Sequence, residues 1–171
     1  MEKIVKLLLA VLIMFSCQNV KELTPQEKGV ISNEVKKASV TYWELNRDFS
    51  KVNLDLMKTY YDKNTEMLWQ TDPVCAVFNI SMIRGYDEGM ESLDKIFENR
   101  ASLDFTITSQ KFSVLSTDYV IEVLGMDYNI IARGGETYGP FESIFTHVWI
   151  RLDGKWKYFY RHQSYRKKLL E

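Results

Sequence analysis

The sequence predicts an α+β domain in which helices come first and a run of antiparallel strands follows. Over the first half of the chain, apolar residues recur every three or four positions, the spacing of amphipathic helices. After Arg100 the spacing changes to two, and the segments become rich in β-branched and aromatic residues, as in half-buried strands. Because an apolar sheet face needs cover, we expect the helices to pack against the concave side of a curved sheet.

The size and composition of the chain fit one globular domain. It has 171 residues, of which 46% are hydrophobic, enough for a single core of ordinary size. The 22 Lys and Arg residues against 23 Asp and Glu give a formal net charge of -1. We therefore expect no nucleic-acid partner, because such proteins carry a clear cationic excess. Two separated histidines without a cysteine cluster lead us to expect no metal site, and we expect no cofactor.

The start of the chain has the layout of a bacterial secretion signal. Two lysines precede a short apolar run that ends at Phe15, too short for a transmembrane helix of about 20 apolar residues. Residues 13–17 resemble the lipobox of bacterial lipoproteins, in which Cys17 receives lipid and becomes the mature N-terminus. We therefore expect a cell-envelope protein anchored through Cys17 on the periplasmic or outer-membrane side, with plain secretion as the alternative.

Four segments follow from these patterns. They are a signal peptide, a polar tether, the folded domain and a charged tail, over residues 1–16, 17–23, 24–166 and 167–171. Cys75 lies in an apolar stretch of the folded domain, where a buried inert thiol is expected.

The domain begins with a helix signal. Thr24 is placed as the N-cap, Pro25 at the first helical position and Glu27 as the residue that closes a capping box. The apolar stripe that follows is Ile31, Val35, Ala38, Tyr42, Leu45 and Phe49. Apolar spacing predicts helices over 25–46, 52–61 and 86–98.

The pattern of the second half of the chain predicts long strands separated by turn residues. The predicted strands cover 103–115, 118–131, 143–152 and 155–164, and two short ones cover 66–69 and 76–78. Asp153-Gly154 between the last two strands is a strong signal for a tight hairpin.

Three short motifs carry a family resemblance. Residues 145–157 contain a Thr-x-x-Trp-x-Arg strand, a glycine turn and a Trp-Lys pair, and they lead into His162-Gln163-Ser164. Residues 83–88 hold an Arg-Gly-aromatic-acidic entry into a helix, and Asp48 precedes an apolar helix that ends in two tyrosines. In this order the motifs resemble the NTF2-like superfamily, in its SnoaL-like and DUF4440-like branch, over roughly residues 25–165.

The resemblance implies a cone, with the N-terminal helices in the concave face of a curved, mainly antiparallel sheet and a cavity at the open end. A homodimer through the outer sheet face is common among relatives and is expected here. The resemblance does not fix an activity, because this fold hosts isomerases, dehydratases, cyclases, transport factors and silent binding modules.

The alternation of side-chain direction along the last strand indicates which residues would form the wall of the cavity. Trp156, Tyr158, Tyr160, His162 and Ser164 share one face, which we expect to point inward. Together with Trp43 and Trp69, this wall predicts a pocket for a small apolar or aromatic molecule. His162 would be a polar anchor or a general base, since its ordinary pKa of ~6.5 suits proton transfer. The alternative is an aromatic core whose polar groups hydrogen-bond to one another.

The preceding strand offers two faces. Phe145, His147, Trp149 and Arg151 alternate with Thr146, Val148, Ile150 and Leu152. The alternation itself allows either set inside. We expect the aliphatic set to pack on the helices and the other set to form an outer dimer surface, which makes His147 structural or interfacial.

An enzyme of this fold would need a carboxylate of shifted pKa near His162. Asp127 and Glu142 are the catalytic candidates, and Asp72 and Glu122 are weaker ones. Simple solvent exposure is the alternative for each of them. The leading interpretation is a lipid-anchored domain that binds a small molecule. A cofactor-independent isomerase, dehydratase or hydrolase and a dimeric interaction module are the alternatives.

Overall fold

The computed structural model describes residues 22–69 and 83–167. Four features expected from the sequence lie outside the described residues: Cys17, Asp72, Cys75 and the short strand at 76–78.

The described part of the chain contains three helices, all before residue 100, as expected: α1 (Pro25–Glu44), α2 (Lys51–Lys58) and α3 (Gly85–Asn99). The capping box at the start of α1 is confirmed, since Glu27 N donates to Thr24 Oγ1 at 3.2 Å and Thr24 N donates to Glu27 Oε2 at 2.8 Å. These two bonds satisfy backbone donors that the first helical turn leaves without partners. Both α1 and α2 end two or three residues earlier than the apolar spacing predicts.

Within residues 22–69 and 83–167, six strands form one sheet. They are β1 (Tyr61–Trp69), β2 (Ile83–Arg84), β3 (Arg100–Val114), β4 (Tyr119–Ala132), β5 (Thr137–Leu152) and β6 (Lys155–Lys167). Their order in the sheet is β2-β1-β6-β5-β4-β3, and only the β1–β6 pairing is parallel. The first strand begins at Tyr61, five residues before the predicted start.

The hairpin between β5 and β6 follows the sequence signal. Asp153 and Gly154 both have positive φ values, 49° and 73°. A two-residue turn of this kind matches the right-handed twist of the flanking strands, and Asp-Gly is among the sequences that favour it.

The helices cover the concave face of the curved sheet, so the predicted α+β cone is confirmed. Residues of α1, α2 and α3 share one buried cluster with inward residues of β3 to β6. The link between α1 and α2 is also tied to the sheet, because Phe49 N donates to Ala101 O and Leu103 N donates to Asn46 O. These bonds fix the C-terminal end of α1 against the start of β3, where the interior cavity lies.

Candidate functional site

A bulge in β6 changes which of its residues face inward. Tyr158 lies opposite Trp149, but Tyr160 lies opposite Val148, so Phe159 is an extra residue in the ladder. Such a bulge shifts the alternation by one position. Trp156 and Tyr158 point into the core as expected, but Arg161 and Gln163 follow them.

The expectation that Tyr160, His162 and Ser164 face the cavity is therefore wrong. They lie on the outer face, where Tyr160 and His162 are half-buried and Ser164 is exposed. His162 lies opposite Thr146 there, on the other side of the sheet from the core.

The face assigned to β5 is also the reverse of the expected one. Phe145, His147 and Trp149 are buried at 1%, 0% and 0% exposure, whereas Val148 and Ile150 are only half-buried on the outer face. The aromatic and imidazole rings supply the larger surface for packing against the helices, and the polar atoms of His147 and Trp149 have a buried partner, described below. His147 is thus a core residue and not part of an outer surface.

A small cavity lies inside the cone, between the helices and the inward face of the sheet. Among the described residues it is bordered by Tyr42, Trp43, Asn46, Met57, Leu93, Ile96, Arg100, Leu103, Tyr128, Phe145, Arg161 and Gln163. Its volume is about 20 Å³. A space of that size holds about one water molecule. An aromatic ligand, as expected from the sequence, does not fit there without movement of side chains.

Two arginines, on strands that are not neighbours in the sheet, border this cavity. Arg100 at the start of β3 and Arg161 on β6 are each 4% exposed. Arg100 Nη2 donates to Asn46 Oδ1 at 2.7 Å, and the guanidinium lies 4.1 Å from the ring centre of Phe49. Both contacts hold the Arg100 guanidinium in place beside the cavity.

Arg161 is held by two tyrosine hydroxyls. Its Nη1 donates to the hydroxyl oxygens of Tyr42 and Tyr61, at 2.7 and 2.8 Å, and these two oxygens are 2.6 Å apart. Burial raises the pKa of Tyr61 well above its ordinary value, although the Arg161 charge opposes that rise. The Tyr61 hydroxyl is therefore neutral, and Arg161 keeps its positive charge inside the cone.

A second polar group completes the cavity wall. Gln163 Nε2 donates to the hydroxyl of Tyr128 at 2.9 Å and to Ser143 Oγ at 3.2 Å. All three residues are buried at 3% exposure or less. The cavity thus has charged and polar donors on one side and the aliphatic residues of α2 and α3 on the other.

The buried carboxylate of Glu122 lies in the same core but does not border that cavity. Its Oε2 is 2.8 Å from His147 Nδ1 and accepts from Trp149 Nε1, also at 2.8 Å. Its Oε1 accepts from Ser39 Oγ and from Gln110 Nε2, each at 2.7 Å. Each carboxylate oxygen therefore faces two donors, which joins α1 to three strands of the sheet.

This arrangement fixes the protonation of the pair. Burial alone would raise the pKa of Glu122, but the hydrogen bonds from His147, Ser39 and Gln110 outweigh it, and the pKa lies below its ordinary value. Burial lowers the pKa of His147, against the opposing effect of Glu122. The pair is thus a carboxylate and a neutral imidazole whose Nδ1 carries the proton. His147 Nε2 is buried and has no hydrogen-bond partner among the residues that the structure describes.

The other predicted site residues are dispersed. Trp43 and Tyr158 are buried in the core, and Trp43 borders the cavity. Trp69 ends β1, and its side chain is not among the described ones. Asp127 and Glu142 lie directly opposite each other on the outer face, each half-buried, with Phe105, Tyr128 and Phe141 of the core on the other side of the sheet.

Sequence reasoning ranked Glu122 low and missed Arg100, Arg161 and Gln163. One signal for Glu122 was present, since it alternates with Val120, Leu124 and Met126 on one apolar face. Arg161 had a weaker signal, because it lies among aromatic residues. The bulge at Phe159, which turns Arg161 inward, has no signature in the sequence.

Two kinds of feature are absent from the described residues, a metal-binding cluster and a membrane-spanning helix. No group of three or more His, Cys, Asp or Glu side chains is arranged to hold a metal ion within residues 22–69 and 83–167. None of the helices described there has both the length and the apolar character needed to cross a bilayer.

Comparison with solved structures gives a consistent likeness in fold. A Streptomyces avermitilis protein of the NTF2-like family, with a suggested dehydratase activity, is 14% identical with a TM-score of 0.64, over 80% of this chain and 97% of that one. The hexachlorocyclohexane dehydrochlorinase LinA-type3 of Novosphingobium barchaimii is 10% identical with a TM-score of 0.61, over 83% and 90%.

A third neighbour has another kind of role. The association domain of C. elegans CaMKII is 13% identical with a TM-score of 0.59, over 80% of this chain and 97% of that domain. No family model matches the sequence, and no curated protein matches it. At such low identities the likeness establishes the architecture alone.

Proposed function

We propose that this chain, which has the NTF2-like fold, is a binding module that holds a small anion inside its cone. One observation carries the proposal. Two guanidinium groups, those of Arg100 and Arg161, border the same small cavity, and both residues are 4% exposed. The carboxylate of Glu122 lies in the same core but does not border this cavity.

The physical reason is the field that two guanidinium groups produce at one small cavity. Electrostatic attraction is stronger in a low-dielectric interior than in water. An anion between Arg100 and Arg161 would interact with both charges and accept charge-assisted hydrogen bonds from them. The cavity volume of about 20 Å³ limits the entering group to a halide or the head of a carboxylate.

Thermal unfolding in formate tests this proposal. Sodium gluconate, whose anion is too large for the cavity, keeps the ionic strength constant. A ligand that binds only the folded state at 100 times its Kd stabilises it by about 2.7 kcal/mol. We expect formate to raise the Tm of the protein and of Lys157→Gln, whose change lies outside the cone.

Two variants complete the test. Arg161→Lys keeps a charge but loses the paired donors, and Arg100→Gln removes a charge, so both should lose most of the formate effect. A rise in Tm of equal size in all four proteins would contradict the proposal.

A second candidate, a cofactor-independent lyase or isomerase, is supported by the Glu122–His147 pair. A neutral imidazole held through Nδ1 by a carboxylate has its Nε2 lone pair available to accept a proton. The dehydrochlorinase and the NTF2-like family protein with suggested dehydratase activity have names that fit such chemistry. The base would be His147, not His162, which lies on the outer face.

This candidate requires that small molecules reach His147, whose side chain is fully buried. Diethyl pyrocarbonate acylates unprotonated histidine, and the two histidines of the chain can be followed by peptide mass spectrometry. Slow modification of His147 alongside His162 would support the candidate. If His162 reacts and His147 stays unmodified over hours, the catalytic role fails.

We also propose that the outer sheet face pairs with a second copy of the chain. Tyr119, Val123, Ile144 and Phe159 are 39–52% exposed on this face. With the half-buried Ile121, Val148 and Tyr160 they form a continuous uncharged surface, called the outer patch. Apolar patches beyond a few hundred Å² are uncommon on monomers. Neighbours that are association domains support a second copy as the occupant.

Sedimentation velocity tests whether a second copy of the chain covers the outer patch. We expect a dimer at micromolar concentration, disrupted by Val148→Glu but not by Val52→Glu, which places the same charge on an exposed apolar residue of α2. A monomer in all three samples would assign the patch to a different partner. Equal disruption by both variants would place the interface elsewhere.

Export and lipid attachment at Cys17 are further proposals, supported by the sequence pattern of residues 1–17. Expression in a bacterial host with labelled palmitate tests them. Label should enter the protein and be absent from Cys17→Ser. Label-free protein in the culture medium would favour plain secretion.

A further inference from the structure

A groove on the surface is large enough for the kind of ligand that the cone excludes. It lies between α1, α2 and the β5–β6 hairpin, with a volume of about 320 Å³. Pockets for small molecules have volumes of about 300–1,000 Å³. Its walls are Ala38, Thr41, Leu45, Leu56, Thr59, Tyr60, Lys155 and Trp156. None of these residues borders the cone cavity.

The polar side chains of the α-helical wall are largely satisfied within the protein. Thr41 Oγ1 donates to Lys37 O at 2.8 Å, and Thr59 Oγ1 donates to Leu56 O at 2.7 Å. Both are bonds within a helix or its last turn, so the hydroxyl protons are not directed to a ligand. The groove wall is therefore apolar in its chemistry despite the two threonines.

Two aromatic residues and one charge give the groove its character. Two contacts fix Trp156 in place. The guanidinium of Arg151 lies 4.6 Å from the centre of the Trp156 ring, and Trp156 Nε1 donates to Glu34 Oε2 at 3.2 Å. Tyr60 is held by edge contacts with Tyr42 and Trp149, at 5.4 and 6.4 Å between ring centres. Burial raises the pKa of Tyr60, so its hydroxyl stays a donor. Among the described residues of the groove wall, Lys155 alone is charged, and it is exposed.

We propose that this groove binds a small aromatic molecule with an acidic group. The ring would pack between Tyr60, Trp156 and the aliphatic residues, since aromatic rings bury large apolar areas at low entropic cost. The acidic group would lie at the rim, paired with Lys155. Charge complementarity favours an acid over an amine, because the described residues of the groove wall include one positive charge and no negative one.

Titration with indole-3-acetate and with tryptamine tests the proposal. The two probes share the indole ring and differ in the sign of their charge. At low ionic strength we expect indole-3-acetate to bind about tenfold more tightly than tryptamine. Lys155→Glu should reverse that preference, and Lys157→Glu, which puts the same charge two positions along β6, should leave it unchanged.

Two further variants test whether the indole ring of the probes binds in the groove. Thr41→Trp fills the groove from an exposed helix position, so it should abolish binding of both probes without disturbing the core. Tyr60→Phe should weaken indole-3-acetate about fivefold by removal of one donor. Retained binding in Thr41→Trp, or a preference that Lys155→Glu does not change, would overturn the proposal.

Binding of the aromatic acid in the groove does not depend on anion binding in the cone. Arg161→Lys should abolish the formate effect and leave indole-3-acetate binding unchanged. Loss of indole-3-acetate binding in Arg161→Lys would place the aromatic ligand inside the cone and overturn the groove assignment.

Discussion

Glu122 and His147 lie directly opposite each other on β4 and β5, with 2.8 Å between carboxylate oxygen and imidazole nitrogen and no solvent exposure of either side chain. A buried carboxylate is tolerated here because four donors surround it. Removal of one hydrogen-bonding partner lowers the stability of the fold by more than the intact pair contributes to it. The reason is that the remaining polar group stays buried without a partner.

Glu122→Gln is therefore expected to destabilise the fold strongly. The glutamine amide would place an NH₂ where the carboxylate accepts two hydrogen bonds, so donors would face a donor. We expect the free energy of unfolding in urea to fall by about 3 kcal/mol. Glu142→Gln, the same change on the outer face, should cost less than about 1 kcal/mol. Equal losses in the two variants would show that the Glu122 network is not stabilising.

The same pair makes stability depend on pH. Burial lowers the pKa of His147 below its ordinary 6.5, so the unfolded chain binds a proton there before the folded chain does. Stability is therefore complete above about pH 6.5 and falls as the pH decreases toward the folded pKa. The lowered pKa of Glu122 acts in the same direction at more acidic pH.

His147→Asn tests this dependence, because asparagine keeps a donor near the Nδ1 position and does not titrate. We expect the decrease in Tm between pH 7 and pH 5 to be smaller in this variant than in the unchanged protein. An identical decrease in both proteins would mean that another group dominates the acid response.

The element pattern could be predicted from the sequence because it depends on local rules. The capping box of Thr24 and Glu27, the hairpin at Asp153-Gly154 and the change of period after Arg100 each involve neighbouring residues. The length of β1 was underestimated, because its pairing with β6 depends on contacts between distant segments, such as the bond from Thr65 Oγ1 to Tyr158 O.

The interior of the cone was predicted less well, for a specific reason. Simple alternation assigns His162 to the inside and Arg161 to the outside, and one extra residue in β6 reverses both. The face of β5 was misassigned because His147 and Trp149 have polar atoms. Their partner, Glu122, lies 25 and 27 positions away along the chain.

Deletion of Phe159 tests the role of the bulge. Without this residue, simple alternation from Tyr158 onward already places Arg161 and Gln163 inside. We expect the variant to fold, with a loss of stability below about 2 kcal/mol, because it loses only an exposed ring and its contact with Tyr119. Circular dichroism and thermal unfolding provide the measurement. A variant that does not fold would mean that the bulge is required for the architecture.

Anomalous diffraction from crystals soaked in bromide would show whether the cone holds an anion. Bromide carries one negative charge, and its size suits a cavity of about 20 Å³. We predict a strong anomalous peak between Arg100 and Arg161, absent from crystals of Arg161→Lys soaked in the same way. Bromide peaks only on the outer surface, with none inside the cone, would contradict the account.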